Sequence, residues 1–69
     1  MNNTEIEQKI IECITNKSSY TLFLLRHEFQ TRHHKKVNDA VKRLELSEKI
    51  HYDNNLFLKI GPKPVVDQT

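Results

Sequence analysis

The chain has 69 residues, of which 36% are apolar and 29% charged. That composition supports one small packed core and leaves no surplus for a second domain, a disordered chain or a membrane span. The net charge of +2 is small, but residues 31–52 hold six Lys/Arg against three Asp/Glu, whereas residues 1–30 hold three against four and residues 53–69 two against two. The positive excess therefore sits in one segment, where it suits a polyanionic partner. No run approaches the roughly 18 apolar residues needed to cross a bilayer. The start, Met1-Asn2-Asn3-Thr4-Glu5, lacks the layout of a secretory signal, so a cytoplasmic protein without membrane contact is expected. A lone cysteine, Cys13, has no internal disulfide partner and is expected to act as a small apolar filler.

From Thr4, the apolar residues Ile6, Ile10, Ile11, Cys13 and Ile14 recur at near-helical spacing, with Glu5, Glu7, Lys9 and Glu12 on the other side. This predicts an amphipathic helix over about 4–16, capped by Thr4 with Glu7 and ended by the polar run from Asn16 to Ser19. A second, short helix is predicted after Thr21 as N-cap, with Leu22, Leu25 and Phe29 on one face. Phe23 then points nearly opposite that face and Leu24 to one side, which is more apolar surface than one core contact requires. A strand over Tyr20–Leu25 competes with this reading, because short apolar runs fit either period.

After the polar turn Gln30-Thr31-Arg32-His33, the residues Val37, Ala40, Val41 and Leu44 stand at i, i+3, i+4 and i+7 and predict a third helix over about 33–46. Ile50-His51-Tyr52 and Leu56 to Ile60 read as two short strands around the turn-rich Asp53-Asn54-Asn55. Gly61-Pro62-Lys63-Pro64 cannot continue a strand. The expected domain is therefore 1–61, with a flexible tail over 62–69.

Three helices followed by a β-hairpin, with the third helix leading directly into it, resemble the winged helix-turn-helix superfamily over about residues 5–60. The most specific part is Lys36-Val37-Asn38-Asp39-Ala40-Val41-Lys42-Arg43-Leu44-Glu45, followed by Ile50, Leu56 and Leu58. Leu25 and Phe29 match the two apolar positions of the helix before the turn. The resemblance implies a small α+β fold, three helices with a short C-terminal wing, in a small single-domain prokaryotic or viral regulator. It also implies binding to double-stranded DNA, with the third helix in the major groove and the wing on the backbone. Two departures stand out: the turn between Phe29 and Val37 is one residue longer than usual, and Glu48 occupies the place of a common glycine. A side chain tolerates left-handed backbone poorly, so the third helix is expected to end differently here.

If Val37, Ala40, Val41 and Leu44 face the core, the helical repeat puts Lys35, Asp39 and Lys42 on the opposite side, flanked by Asn38 on one edge and by Lys36 and Arg43 on the other. Lysine and arginine neutralise phosphates and read guanine, asparagine pairs with adenine, and Asp39 would repel phosphate or accept from cytosine. With Arg32 and His34 at the start of the helix, and Asn54, Asn55 and Lys59 in the wing, these residues form the candidate DNA surface. A phosphate near His33 and His34 would favour a protonated ring, so binding is expected to tighten as pH falls, chiefly through His34. Ordinary helix pairs such as Asp39 with Lys42 or Arg43 explain the same charges without DNA.

Phe23, Leu24 and Leu46 form the candidate surface for a homodimer or a protein partner, since the same fold also serves as a protein-binding module. His27, His33, His34 and His51 lack metal-ligand spacing, and Cys13 has no paired cysteine, so no metal is expected. There is no glycine-rich phosphate loop, nucleophile elbow or acid–base pair. The chain reads as a non-enzyme with no cofactor and no small-molecule substrate.

Overall fold

The computed structural model of the chain describes residues 2–17 and 19–64. In chain order they form α1 (Asn3–Asn16), α2 (Leu22–His27), a 3-10 turn (Thr31–His33), α3 (His34–Leu46), β1 (Ile50–Tyr52) and β2 (Leu58–Ile60). The architecture is α+β: three α-helices and one two-stranded antiparallel sheet. The end of the expected tail, residues 65–69, lies outside the described residues.

The first helix starts earlier than its expected cap. Asn2, not Thr4, is the N-cap, and its side-chain oxygen accepts the Glu5 N–H at 2.8 Å. Asparagine satisfies an orphan donor at this position as well as any residue does, which leaves Thr4 inside the first turn. The expected cap of α2 is made: the Thr21 hydroxyl accepts the Leu24 N–H at 3.2 Å. The segment from Leu22 is thus helix rather than strand. Tyr20 just before it keeps one strand-like contact, because its carbonyl accepts the Leu58 N–H at 2.6 Å. That bond ties the α1–α2 link to β2. The extra residue in the turn before α3 is taken up by the 3-10 turn, which runs straight into the helix.

The core lies where α1 packs on α3 and on β2. Ile6, Ile10 and Ile14 of α1 meet Val37, Ala40, Val41 and Leu44 of α3, closed by Tyr20, Leu25, Phe29, Ile50 and Leu58, all of them buried. Ile11 and Cys13 pack half-buried at its edge. Burial and the adjacent Cys13 raise the Tyr20 phenol well above its usual range, so it stays un-ionised.

The hairpin is in register with Ile50 opposite Ile60, His51 opposite Lys59 and Tyr52 opposite Leu58. Leu56, expected in the second strand, is instead in the loop, at φ 65° and 70% exposed. The cause is Asp53. Its carboxylate accepts the Asn55 and Phe57 N–H groups at 2.8 and 3.0 Å, while Phe57 returns its carbonyl to the Asp53 N–H at 2.9 Å. The turn therefore spans 53–57, and strand pairing resumes only at Leu58.

The end of α3 also departs from expectation. The Lys49 N–H reaches the Leu44 carbonyl at 2.9 Å and the Glu48 N–H reaches the Glu45 carbonyl at 3.0 Å, with Glu48 at φ 61°. These are the paired bonds of a helix end that glycine normally supplies. The helix ends in the usual way, and Glu48 accepts the left-handed backbone to let it. Such a conformation costs a side-chain-bearing residue about 1 kcal/mol or more. Glu48→Gly should therefore raise stability by about 0.5 kcal/mol, the relief of this strain less the added freedom of the unfolded chain. Urea denaturation should show a higher midpoint at unchanged slope; an equal or lower midpoint would contradict the assigned strain.

Candidate nucleic-acid interface

Complete burial of one side of α3 leaves its other side outward. Lys35, Lys36, Asp39 and Lys42 are exposed there, and Arg32 is exposed in the 3-10 turn that leads in. Asp39 makes no ion pair with Lys42 or Arg43 among the described residues, so the helix pairs that would explain these charges locally are not formed. Among the described residues, the cations on the outer side of α3 make no ion pair.

Three of the expected contacts are arranged differently from the helical-wheel expectation. Arg43 turns back to α1, where its Nε and Nη2 donate to Glu7 Oε2 at 3.4 and 3.3 Å. Its charge is opposed by Glu7, and it bridges two helices instead of standing with the outer cations. Such a half-exposed pair contributes little to stability, about 0–1 kcal/mol. Asn38 was expected to present an amide edge, but its Oδ1 is buried and has no hydrogen-bond partner among the described residues. That atom cannot read a base without a side-chain rotation. His34 is half-buried, with Nε2 3.3 Å from the Phe29 carbonyl. The ring is thus docked on the preceding turn, and only Nδ1 remains for an outside partner.

His33 is half-buried beside Arg32 and Lys36, and desolvation together with these cations lowers its pKa below 6.5. In the hairpin, Asn54 and Asn55 are exposed at the turn and Lys59 is half-buried. The Asn55 N–H is committed to Asp53, which accounts for that residue by turn chemistry. His51 Nδ1 sits 2.9 Å from the Gly61 carbonyl, anchoring the base of the hairpin.

The apolar candidates are outside the core as expected: Phe23, Leu24 and Leu46 are 64%, 45% and 85% exposed. Phe23 stacks edge-on against His27, ring centroids 4.6 Å apart. It also lines a shallow apolar depression with Leu22, Tyr52 and Leu56, which Leu46 does not line. The depression therefore joins α2 to the hairpin, not to the end of α3. Sequence reasoning missed Leu56 here, because it was read as a strand residue. It also missed Lys9, whose ammonium donates to the Glu28 carbonyl at 2.8 Å and lies 4.7 Å from the centre of the Phe29 ring.

Among the described residues, no three of His, Cys, Asp and Glu gather where a metal could be held. No described helix is long and apolar enough to cross a membrane. Comparison of the chain with protein-family models, with curated proteins and with solved structures finds no match. The functional reading therefore rests on the side chains themselves.

The hairpin turn carries its own pH signature. Hydrogen bonds from the Phe57 and Asn55 amides, aided by Lys59 and His51, hold the Asp53 carboxyl below 3.8 against partial desolvation. A carboxyl with a depressed folded pKa stabilises the turn above the unfolded value of about 3.9 and loses that contribution as pH falls through the folded value. The Asn55 and Phe57 amide resonances should titrate together with a midpoint below 3.8, and Asp53→Ala should abolish the transition. A common midpoint at or above the ordinary aspartate value would contradict this account of the turn.

Proposed function

We propose that this chain is a small winged helix-turn-helix domain that binds double-stranded DNA, as a transcriptional regulator or an architectural protein, with α3 in the major groove. The observation that carries the reading is the set of exposed cations at Lys35, Lys36 and Lys42 on the outer side of a helix whose inner side is buried, with Arg32 in the turn before it, all free of ion pairs among the described residues. A helix of ordinary width fits the major groove, roughly 12 Å across. Unpaired cations on it displace the counterions condensed on DNA. Asp39 stands among them as a candidate acceptor from cytosine. Arg43 and Asn38 would join only after leaving Glu7 and the buried site. Asn54, Asn55 and Lys59 supply the wing contacts to the backbone. The reading requires no cofactor, metal or catalytic step.

A second reading is favoured by the exposed Phe23, Leu24, Leu46 and Leu56: a homodimer or another protein is held on apolar side chains outside the core. A two-fold dimer is compatible with DNA binding, since it would present two copies of α3 to paired half-sites. A heterologous protein partner in place of DNA is the competing function.

Affinity for random duplex DNA should fall with salt as if about three to five phosphates were neutralised, at about −0.9 in log–log slope per phosphate. Lys35→Ala with Lys42→Ala should weaken binding strongly and flatten the slope, whereas Lys17→Ala with Lys63→Ala should do neither. Equal losses from the two pairs, or no binding at low salt, would overturn the assignment. Loss of a co-purifying protein on Phe23→Ala with Leu46→Ala, with no DNA bound, would favour the competing function.

A further inference from the structure

Arg32 also borders a cleft off the outer side of α3, where α1 meets the turn that leads into it. The cleft has a volume of about 400 Å³ and is lined by Lys9, Glu28, Phe29, Gln30, Arg32 and His33. These residues come from distant parts of the sequence, and the fold brings them together.

We propose that this cleft is a phosphate-binding site, with Lys9, Arg32 and His33 as its ligands. Lys9 is fixed at the rim by the Glu28 carbonyl and the Phe29 ring. An ammonium has three N–H donors, and the one bond it makes here leaves two for an anion. The Arg32 guanidinium and the His33 ring make no hydrogen bond among the described residues, so their donors are also unused. The charged groups acting on His33 include the amino terminus, Arg32 and Lys36, and Lys9 and Glu28 line the same cleft. The neighbouring His34 ring is turned to the Phe29 carbonyl. Glu28 is the single carboxylate against these cations, so the balance favours an anion.

In the free protein, desolvation and the adjacent positive charges oppose protonation of the His33 ring. A phosphate in the cleft reverses that sign. It favours the imidazolium, and by linkage a phosphodiester, whose charge is constant in this range, binds more tightly as pH falls through the interval between the free and bound pKa values of the ring. The inference deepens the DNA reading. If the chain binds duplex DNA, the occupant is a backbone phosphodiester beside the groove that α3 enters, and Lys9 contributes from outside the recognition helix. If it does not, the same chemistry takes a free phosphate.

The test is the ring titration of His33 by NMR in chloride, in inorganic phosphate at equal ionic strength, and with duplex DNA. The His33 midpoint should be higher by about one pH unit with phosphate or DNA than in chloride. Lys9→Gln should abolish the rise and reduce the DNA salt slope by about 0.9. Glu28→Gln, a surface change, should tighten phosphate binding. A rise with inorganic phosphate but no DNA binding would keep the site and overturn the DNA reading. DNA binding with an unmoved His33, and an unchanged slope in Lys9→Gln, would overturn the site and leave the DNA reading intact. An unmoved His33 and no DNA binding would overturn both.

Discussion

Ile6, Ile10 and Ile14 form one ridge on α1, and they bury against Val37, Ala40, Val41 and Leu44 on α3. A chain this small buries only about 60% of its unfolded surface, so it has no second core to fall back on. Each fully buried aliphatic side chain contributes about 1.5–3 kcal/mol from removal of apolar surface from water. Ala40 is fully buried at the centre of the α3 face, where a small side chain permits close approach of the helices. This contact fixes the rotation of α3 about its axis. Once the four apolar positions are inward, Lys35, Asp39 and Lys42 have only one direction left. The proposed function is thus a consequence of the core: the packing that stabilises the fold also sets which charges face out.

The remaining elements close this contact from two sides. The Arg43–Glu7 pair joins the same two helices at their solvent edge, and the Tyr20–Leu58 bond joins the α1–α2 link to β2. Lys9 does the same on the side of the turn, bonding to Glu28 over the Phe29 ring. Each of these is a polar contact between residues far apart in the chain. Two of them give a cation a structural partner: Arg43 is charge-paired with Glu7, whereas Lys9 keeps two of its donors. Charge pattern along a helix is therefore a poor guide to which cations are available; tertiary partners decide it.

The helical elements were legible because their signal is local. The i, i+3, i+4, i+7 pattern from Val37 to Leu44 and the Thr21 cap both depend on residues within two turns, and both appear in the fold. What could not be read depended on competition between near-equal alternatives or on distant partners. Asn2 and Thr4 are both adequate caps, and the sequence does not rank them. Leu56 fits a strand by type, but the Asp53 carboxylate captures two amides and extends the turn past it. Glu48 breaks the glycine preference because the helix-end bonds outweigh the local strain. Of the candidate interface, the outward lysines followed from periodicity, whereas the diversion of Arg43, the inward oxygen of Asn38 and the docked ring of His34 depend on contacts that only the folded chain contains. The winged-helix resemblance agrees with the element order, and tertiary packing decides which side chains of the candidate interface face out.

The central claim, that the outer side of α3 is the working surface, is tested most directly by mapping backbone amide shifts while the folded chain is titrated with a short random-sequence duplex at low salt. The largest changes should fall at Arg32, Lys35, Lys36, Asp39 and Lys42, with smaller ones at Asn54 and Lys59, and Phe23, Leu24 and Leu46 should remain still. Changes centred on Phe23, Tyr52 and Leu56, or a spectrum that does not respond to DNA, would contradict it.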